Sequence, residues 1–267
     1  INITAISKPV SIVTAVGQNP TAPVSSQPVS ISCRVIHVRP IERVVLWYKR
    51  ETDRLFETTL LCDDGNHGDG VADDGVYGAS ISPQNDGSIV EFAIQAIDAE
   101  GENGWFPNEG LNRAAIYQVD DTVRSISLPF YRIVMRTADH QILRSRSVTS
   151  NDLLPATFIH ENEIWYNVGV RFRGKGGRYR EPKSYRVDFT NTDYFHSTRK
   201  LNLNAVEIYR QYVGLECFRY LGMPISEKQF VSLAFNQTFV PGYIQVERTD
   251  RYMMTRLFGD GGGNLYR

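Results

Sequence analysis

RFRGKGGRYREPKSYRVDF, residues Arg171–Phe189, opens with a strand-like run, turns through glycines and cations, and returns to a second strand-like run. The turn carries Gly174, Gly176 and Gly177 among Arg173, Lys175, Arg178, Arg180 and Lys183. Backbone N–H groups of a glycine-rich turn can converge on phosphate oxygens, and flanking cations add charge. It is not a Walker motif: no GK[ST] ends it, and no helix is expected to start there. On spacing alone it reads either as a phosphate cradle or as a basic hairpin facing solvent.

Around this turn the second half alternates strand and helix signals. FYRIVM, YNVGVRFRG, FVSLAF and GYIQVER read as strands. YRQYVGLECFRYLG carries Tyr209, Tyr212, Val213, Leu215, Cys217, Phe218 and Leu221 at helical spacing, with Gly222 and Pro224 as the stop. The expectation for residues 127–267 is an α+β domain, a sheet with at least one packed helix.

The first half has a different texture. PVSISCRVI places Val29, Ile31, Cys33 and Val35 on one face, and SIVEFAIQAID does the same with Val90, Phe92, Ile94 and Ala96. With VVLWYKR between them, and Gly, Pro and Asp turns throughout, residues 8–106 read as an all-β immunoglobulin-like sandwich. Trp47 is expected in its core. The polar stretch 107–126 reads as a linker.

At 267 residues, 42% of them apolar, the chain has material for two cores. A formal net charge of -1 gives no global signal for nucleic acid. No apolar run is long enough for a membrane span. Cys33, Cys62 and Cys217 are too scattered for a metal cage. Cys33 and Cys62 read as a disulfide in an oxidising compartment or as two free thiols. The five histidines show no pair at ligand spacing, and no GxSxG, HExxH or CxxC is present. The chain starts without Met and stops at GDGGGNLYR without a closing signal, so a longer natural protein is expected.

CDDGNHGDGVADDGVYGA, residues 62–79, sets Asp63, Asp64, Asn66, Asp69, Asp73 and Asp74 among glycines. A flexible oxygen-rich loop suits calcium, although Gly68 stands where an EF-hand would have its third ligand. Asp-Gly pairs also make tight turns without any ion. The stretch resembles a turn found in secreted bacterial immunoglobulin-like modules, which implies an extracellular binding or spacer module.

From about Leu128 onward the chain resembles the CotH family of atypical, spore-coat-type protein kinases. LPFYRIVM, YNVGVRFRG, PKSYRVDF, RKLNLNA, FRYLGMP, GYIQVERTD and FGDGGGNLYR carry the resemblance, in the family's order. It implies a kinase-like domain that binds ATP with Mg or Mn and transfers the γ-phosphoryl to protein hydroxyls. Lys183 matches the family's phosphate-binding lysine, and Arg173, Gly174, Lys175 and Gly176 form the adjoining turn. Glu216, with Glu207 as the alternative, is the implied acidic partner of Lys183. Glu247 matches a glutamate near the nucleotide, where a structural salt bridge is the competing reading.

Two departures stand out. Lys175-Gly176-Gly177 replaces the small polar pair usual in the family's turn, and the family's metal-binding acids would lie beyond Arg267. The domain is therefore expected to be the N-terminal part of a kinase-like domain. The implied setting is extracellular or at the cell surface, with coat or other extracellular proteins as substrates or assembly partners. The alternative is a structural or adhesive surface protein on a catalytically inactive scaffold.

Overall fold

The alternation in VSISCRVI is realised in the computed structural model, which describes residues 11–190, 192–196 and 198–263. Residues 8–10 of the expected sandwich and 264–267 of the last family-like stretch lie outside the described residues. The chain divides into two units, Ile1–Thr122 and Val123–Arg267.

Among its described residues the first unit holds eight strands. They are β1 (Ile12–Asn19), β2 (Val29–Ile36), β3 (Ile41–Arg50), β4 (Glu57–Leu61), β5 (Val76–Ile81), β6 (Ile89–Asp98), β7 (Asn103–Phe106) and β8 (Ala115–Gln118). One sheet runs β1-β2-β5; the other runs β4-β3-β6-β7, with β8 also paired to β6. All of these pairs are antiparallel. Val29, Ile31, Cys33 and Val35 are buried, as are Val90, Phe92, Ile94 and Ala96. The stretch 107–126, expected as a linker, contains β8, whose four residues are all buried. Val119 and Asp120 continue the packing beyond it.

Trp47 departs from expectation. It is only half-buried, because the pleat that turns Leu46 fully inward points Trp47 to the opposite face. There its indole N–H donates to Gln95 Oε1 at 3.0 Å, and its ring lies 6.3 Å from that of Trp105. The cysteines are free; burial pushes the Cys33 thiol up to about 12.

The second unit corrects the α+β expectation. Its strands are β9 (Phe130–Val134), β10 (Leu154–His160), β11 (Glu163–Phe172), β12 (Tyr185–Asp188), β13 (Lys200–Asn204), β14 (Lys228–Phe235) and β15 (Thr238–Val246). They form a closed barrel in the order β10-β11-β12-β13-β15-β14-β9. Strands make up 42% of the structure and helices 15%, so this is a mostly β protein without a kinase-like α+β layering. Every pair is antiparallel except β9 with β14, whose parallel pairing closes the ring. Asn236, just past β14, extends that seam. Its side-chain oxygen accepts from the Met135 N–H at 2.9 Å, and its amide nitrogen donates to the Met135 carbonyl at 3.2 Å.

The barrel interior is filled by aromatic and branched side chains, including Tyr131, Phe158, Trp165, Phe172, Tyr185, Phe235 and Tyr243. It is a packed core, as expected for so few strands. Among the described residues three α-helices, α1 (Thr137–Ser145), α2 (Ile208–Tyr220) and α3 (Arg251–Phe258), lie outside it. The expected helix is α2, and it ends as the glycine signalled. Gly222, at φ +73°, donates to Arg219 O, and Met223 donates to Phe218 O. These two bonds form a Schellman cap. Yet no residue of α2 is fully buried, so it is not the packed helix of an α+β layer.

Candidate anion-binding site

A strand's period of two decides where the basic turn sends its charges. In β11 and β12, Val170, Phe172, Tyr185 and Val187 point into the barrel. Arg171, Arg173 and Arg186 therefore point out. Register then aligns them: Arg171 lies opposite Arg186, and Arg186 opposite Asn202 on β13. Like charges directly across a sheet repel. Here they stand together over a cavity of about 530 Å³, also lined by Gly174, Lys175, Arg178, Asn204, Glu247 and Arg248. That volume lies in the range of small-molecule sites.

Burial, and then the charges of Arg171 and Arg186, bring the Arg173 guanidinium down from its ordinary range to about 10. Burial likewise lowers Arg171, with Arg186 and Arg178 adding to the effect. Asp188, which is not among the lining residues, is already committed. It accepts from Arg186 at 2.5 and 2.8 Å and lies 3.7 Å from Lys200. Arg173 is held by Asn204 Oδ1, and Asn204 is fixed in turn by Gln211 at 2.7 Å. The site is thus a preorganised, desolvated cationic cleft that favours an anion.

The residues singled out in the sequence fall into separate places. Arg173, Gly174, Lys175 and Glu247 line the cavity. Gly176 is exposed in the turn, with open space around it. Arg178 acts as a brace: it donates to Gly174 O at 2.9 Å, to Val148 O and Ser150 O at 3.0 Å each, and to Asn151 at 2.7 Å. Lys183 does not line the cavity. Its ammonium donates to Arg178 O at 2.8 Å, pairs with Glu181 at 3.4 Å, and sits 5.5 Å over the Phe172 ring.

Glu216 is paired with Lys228 at 2.6 Å and Arg219 at 2.5 Å, not with Lys183. Glu207, the alternative partner, lies 3.9 Å from Arg180 and 3.6 Å from Arg210. Glu247 accepts two bonds from Arg256, at 2.5 and 3.1 Å, and one from the Glu227 N–H at 3.0 Å. Sequence reasoning missed Arg171, Arg186, Asn202, Asn204 and Arg248 as lining residues. For all of these but Arg248 the signal was the alternation of RFR, YRVD and LNLN, which becomes a site only once the strands are in register.

Residues 170–267 match the CotH family, described as CotH kinase protein. The match begins inside β11 and contains every residue that lines the cavity. No curated protein matches the chain. Among solved structures, the chain is similar to one titled "Myokine structure", at 9% identity over 42% of this chain and 98% of that one, with a TM-score of 0.28. It is also similar to a cycloalternan-forming enzyme from Listeria monocytogenes in complex with a pentasaccharide substrate, at 10% identity and a TM-score of 0.27. A third is a cycloalternan-degrading enzyme from Trueperella pyogenes, at 7% identity and a TM-score of 0.29. The alignments take in 72% and 86% of this chain but only 15% and 29% of the two enzymes. At such scores none of the three bears on fold or chemistry.

In the aspartate loop Asp63, Asp64, Asp69 and Asp74 turn carboxylate oxygens to backbone N–H groups, the pattern of tight turns. Asp69 accepts from Asp64, Gly65 and His67 at 2.6, 2.8 and 3.1 Å. Burial raises the Asp69 carboxyl, but these amides outweigh that and hold it below the usual range. Asp63 accepts from the Asp74 and Gly75 N–H groups, and Asp74 from that of Val76. An oxygen already facing amide hydrogens is poorly placed to face a cation as well. Asn66 donates back to Asp64 O, and Asp73 takes the left-handed conformation at φ +63°.

Proposed function

We propose that the barrel unit holds the phosphate groups of a nucleotide, ATP carried with Mg or Mn, in the arginine-lined cavity. On this reading it forms part of a secreted or cell-surface CotH-type kinase acting on hydroxyls of extracellular or coat proteins. The observation that carries the proposal is the row Arg171–Arg186 with Arg173 beside it: three half-buried guanidiniums facing a cavity whose one lining carboxylate, Glu247, is committed to Arg256. Such a row destabilises the empty protein and is relieved by a polyanion. The two-sheet unit, read as immunoglobulin-like, would serve as tether or substrate finder.

The described lining residues supply little to a divalent ion. Glu247 is their one carboxylate, and both of its oxygens are occupied by Arg256 and the Glu227 N–H. A nucleotide's own phosphates would carry the ion, whose part is to offset charge on the β- and γ-oxygens. The chain's residues contribute positioning: Arg173 through Asn204, and the turn through the Arg178 brace.

A second reading is a binding-competent but inactive surface scaffold. It is favoured by the committed state of Lys183, Glu216 and Glu247, each ion-paired with a partner other than the one kinase chemistry would give it. Calorimetry with ATP and Mg or Mn, on the wild type, Arg173→Met and Lys183→Ala, tests both readings. Binding lost in Arg173→Met supports the nucleotide site, and binding untouched by that change overturns it. Binding without phosphoryl transfer to any protein hydroxyl selects the scaffold reading. Loss of binding in Lys183→Ala would add the turn's lysine to the site.

A further inference from the structure

We propose that Cys62, Asp64 and His67 form a site for a zinc ion on the first unit. One ligand atom from each of the three residues lies within 4.8 Å of the other two. The set is a thiol, a carboxylate and an imidazole, the donors that zinc takes and calcium does not. A tetrahedral ion with bonds of about 2.0–2.3 Å holds its ligands roughly 3.5 Å apart, so the group closes on it by little more than side-chain rotation.

The loop is built to keep the three together. Cys62 exchanges both backbone hydrogen bonds with Gly78 of β5, at 2.9 and 2.8 Å. The His67 carbonyl packs against the same glycine, so closely that a Cβ there would lie 2.3 Å from its oxygen. One residue therefore anchors the backbone of the first and last ligands. Asp69 ties down the turn between them through its three amide bonds, and Asp63 ties the return of the loop through two more. These acids spend themselves on the backbone and leave the ligand set clear. Asp64 Oδ1 accepts from the Asn66 N–H at 3.0 Å and bonds His67 Nδ1 at 2.9 Å, whereas Asp64 Oδ2, His67 Nε2 and Cys62 Sγ make no hydrogen bond among the described residues. Asp64 and His67 are exposed and Cys62 half-buried, so an ion has a route in and a water can take the fourth position.

The test is cobalt substitution in the intact chain, read by visible and near-ultraviolet absorption. The expected result is a thiolate-to-cobalt charge-transfer band with intense four-coordinate visible bands, saturating at one equivalent and bleached by one equivalent of zinc. The band is expected to vanish in Cys62→Ser, to weaken in His67→Ala and Asp64→Asn, and to persist in Cys217→Ser. His67 and Asp64 are exposed, so their variants report on the site even where Cys62→Ser disturbs the sheet. Absence of any thiolate band in the wild type, or a band that survives Cys62→Ser and disappears in Cys217→Ser, overturns the proposal.

Discussion

Lys228 reaches out of β14 to donate to Glu216 across 2.6 Å, and its ammonium lies 4.9 Å over the Tyr212 ring. This is the ion pair that fastens α2 to the barrel, and it takes the carboxylate that kinase-like chemistry would give to Lys183. The Lys228 bond first, then that of Arg219, holds the Glu216 carboxyl below its usual range. A carboxyl depressed in the folded state contributes stability above the ordinary carboxylate range and loses it as pH falls through the depressed value. The wild type should therefore lose more melting temperature than Glu216→Gln between neutral and acidic pH. Parallel slopes in thermal melts would count against the pair.

Arg173 makes the opposite kind of prediction. Bringing a guanidinium down from its ordinary range to about 10 corresponds to about 3 kcal/mol of disfavoured charge. A base whose folded value is depressed costs stability at every pH below it. Arg173→Met should therefore leave the melting temperature of the empty protein unchanged or raised. The same variant should lose the rise in melting temperature that inorganic triphosphate gives the wild type. A variant that melts lower and still responds to triphosphate would refute this account.

Asn236 holds both backbone polar groups of Met135, which is fully buried. Asn236→Ala leaves them unpaired, and is expected to cost about 1–3 kcal/mol in urea unfolding. A loss of a few tenths would show that water takes over the bonds.

Asp69 is expected to behave as a loop lock. Its carboxyl is held below the usual range, so the loop stays fixed near neutral pH and loosens as pH falls through that depressed value. Amide exchange at Asp64, Gly65 and His67 should rise in Asp69→Ala at neutral pH. Unchanged protection would mean that neighbouring turns hold the loop without it.

Much of the local structure could be read along the chain. The inward set of β2, the strand character of β6, β11 and β14, and the end of α2 at Gly222 all follow from periods of two and 3.6 and from one residue's freedom at positive φ. Barrel closure could not be read this way, because the parallel pairing of β9 with β14 is a contact between segments far apart in sequence. The same limit hid the arginine site. Arg171 and Arg186 each look like ordinary outward residues, and only the register of β11 on β12 makes them neighbours. Trp47 misled because an aromatic in a strand suggests a core, while the pleat had already given the core to Leu46.

The β9–β14 seam also sets a timetable for synthesis. Phe130 pairs with Ser232, roughly a hundred residues later, so at about 5–20 residues per second the first staves leave the ribosome many seconds before the last one arrives. Through that interval β9 has one open edge, and Tyr131, Ile133 and their partners lack their final neighbours. Until Ser232 arrives, the open flank of β9 is the edge of the nascent barrel that is free to pair wrongly.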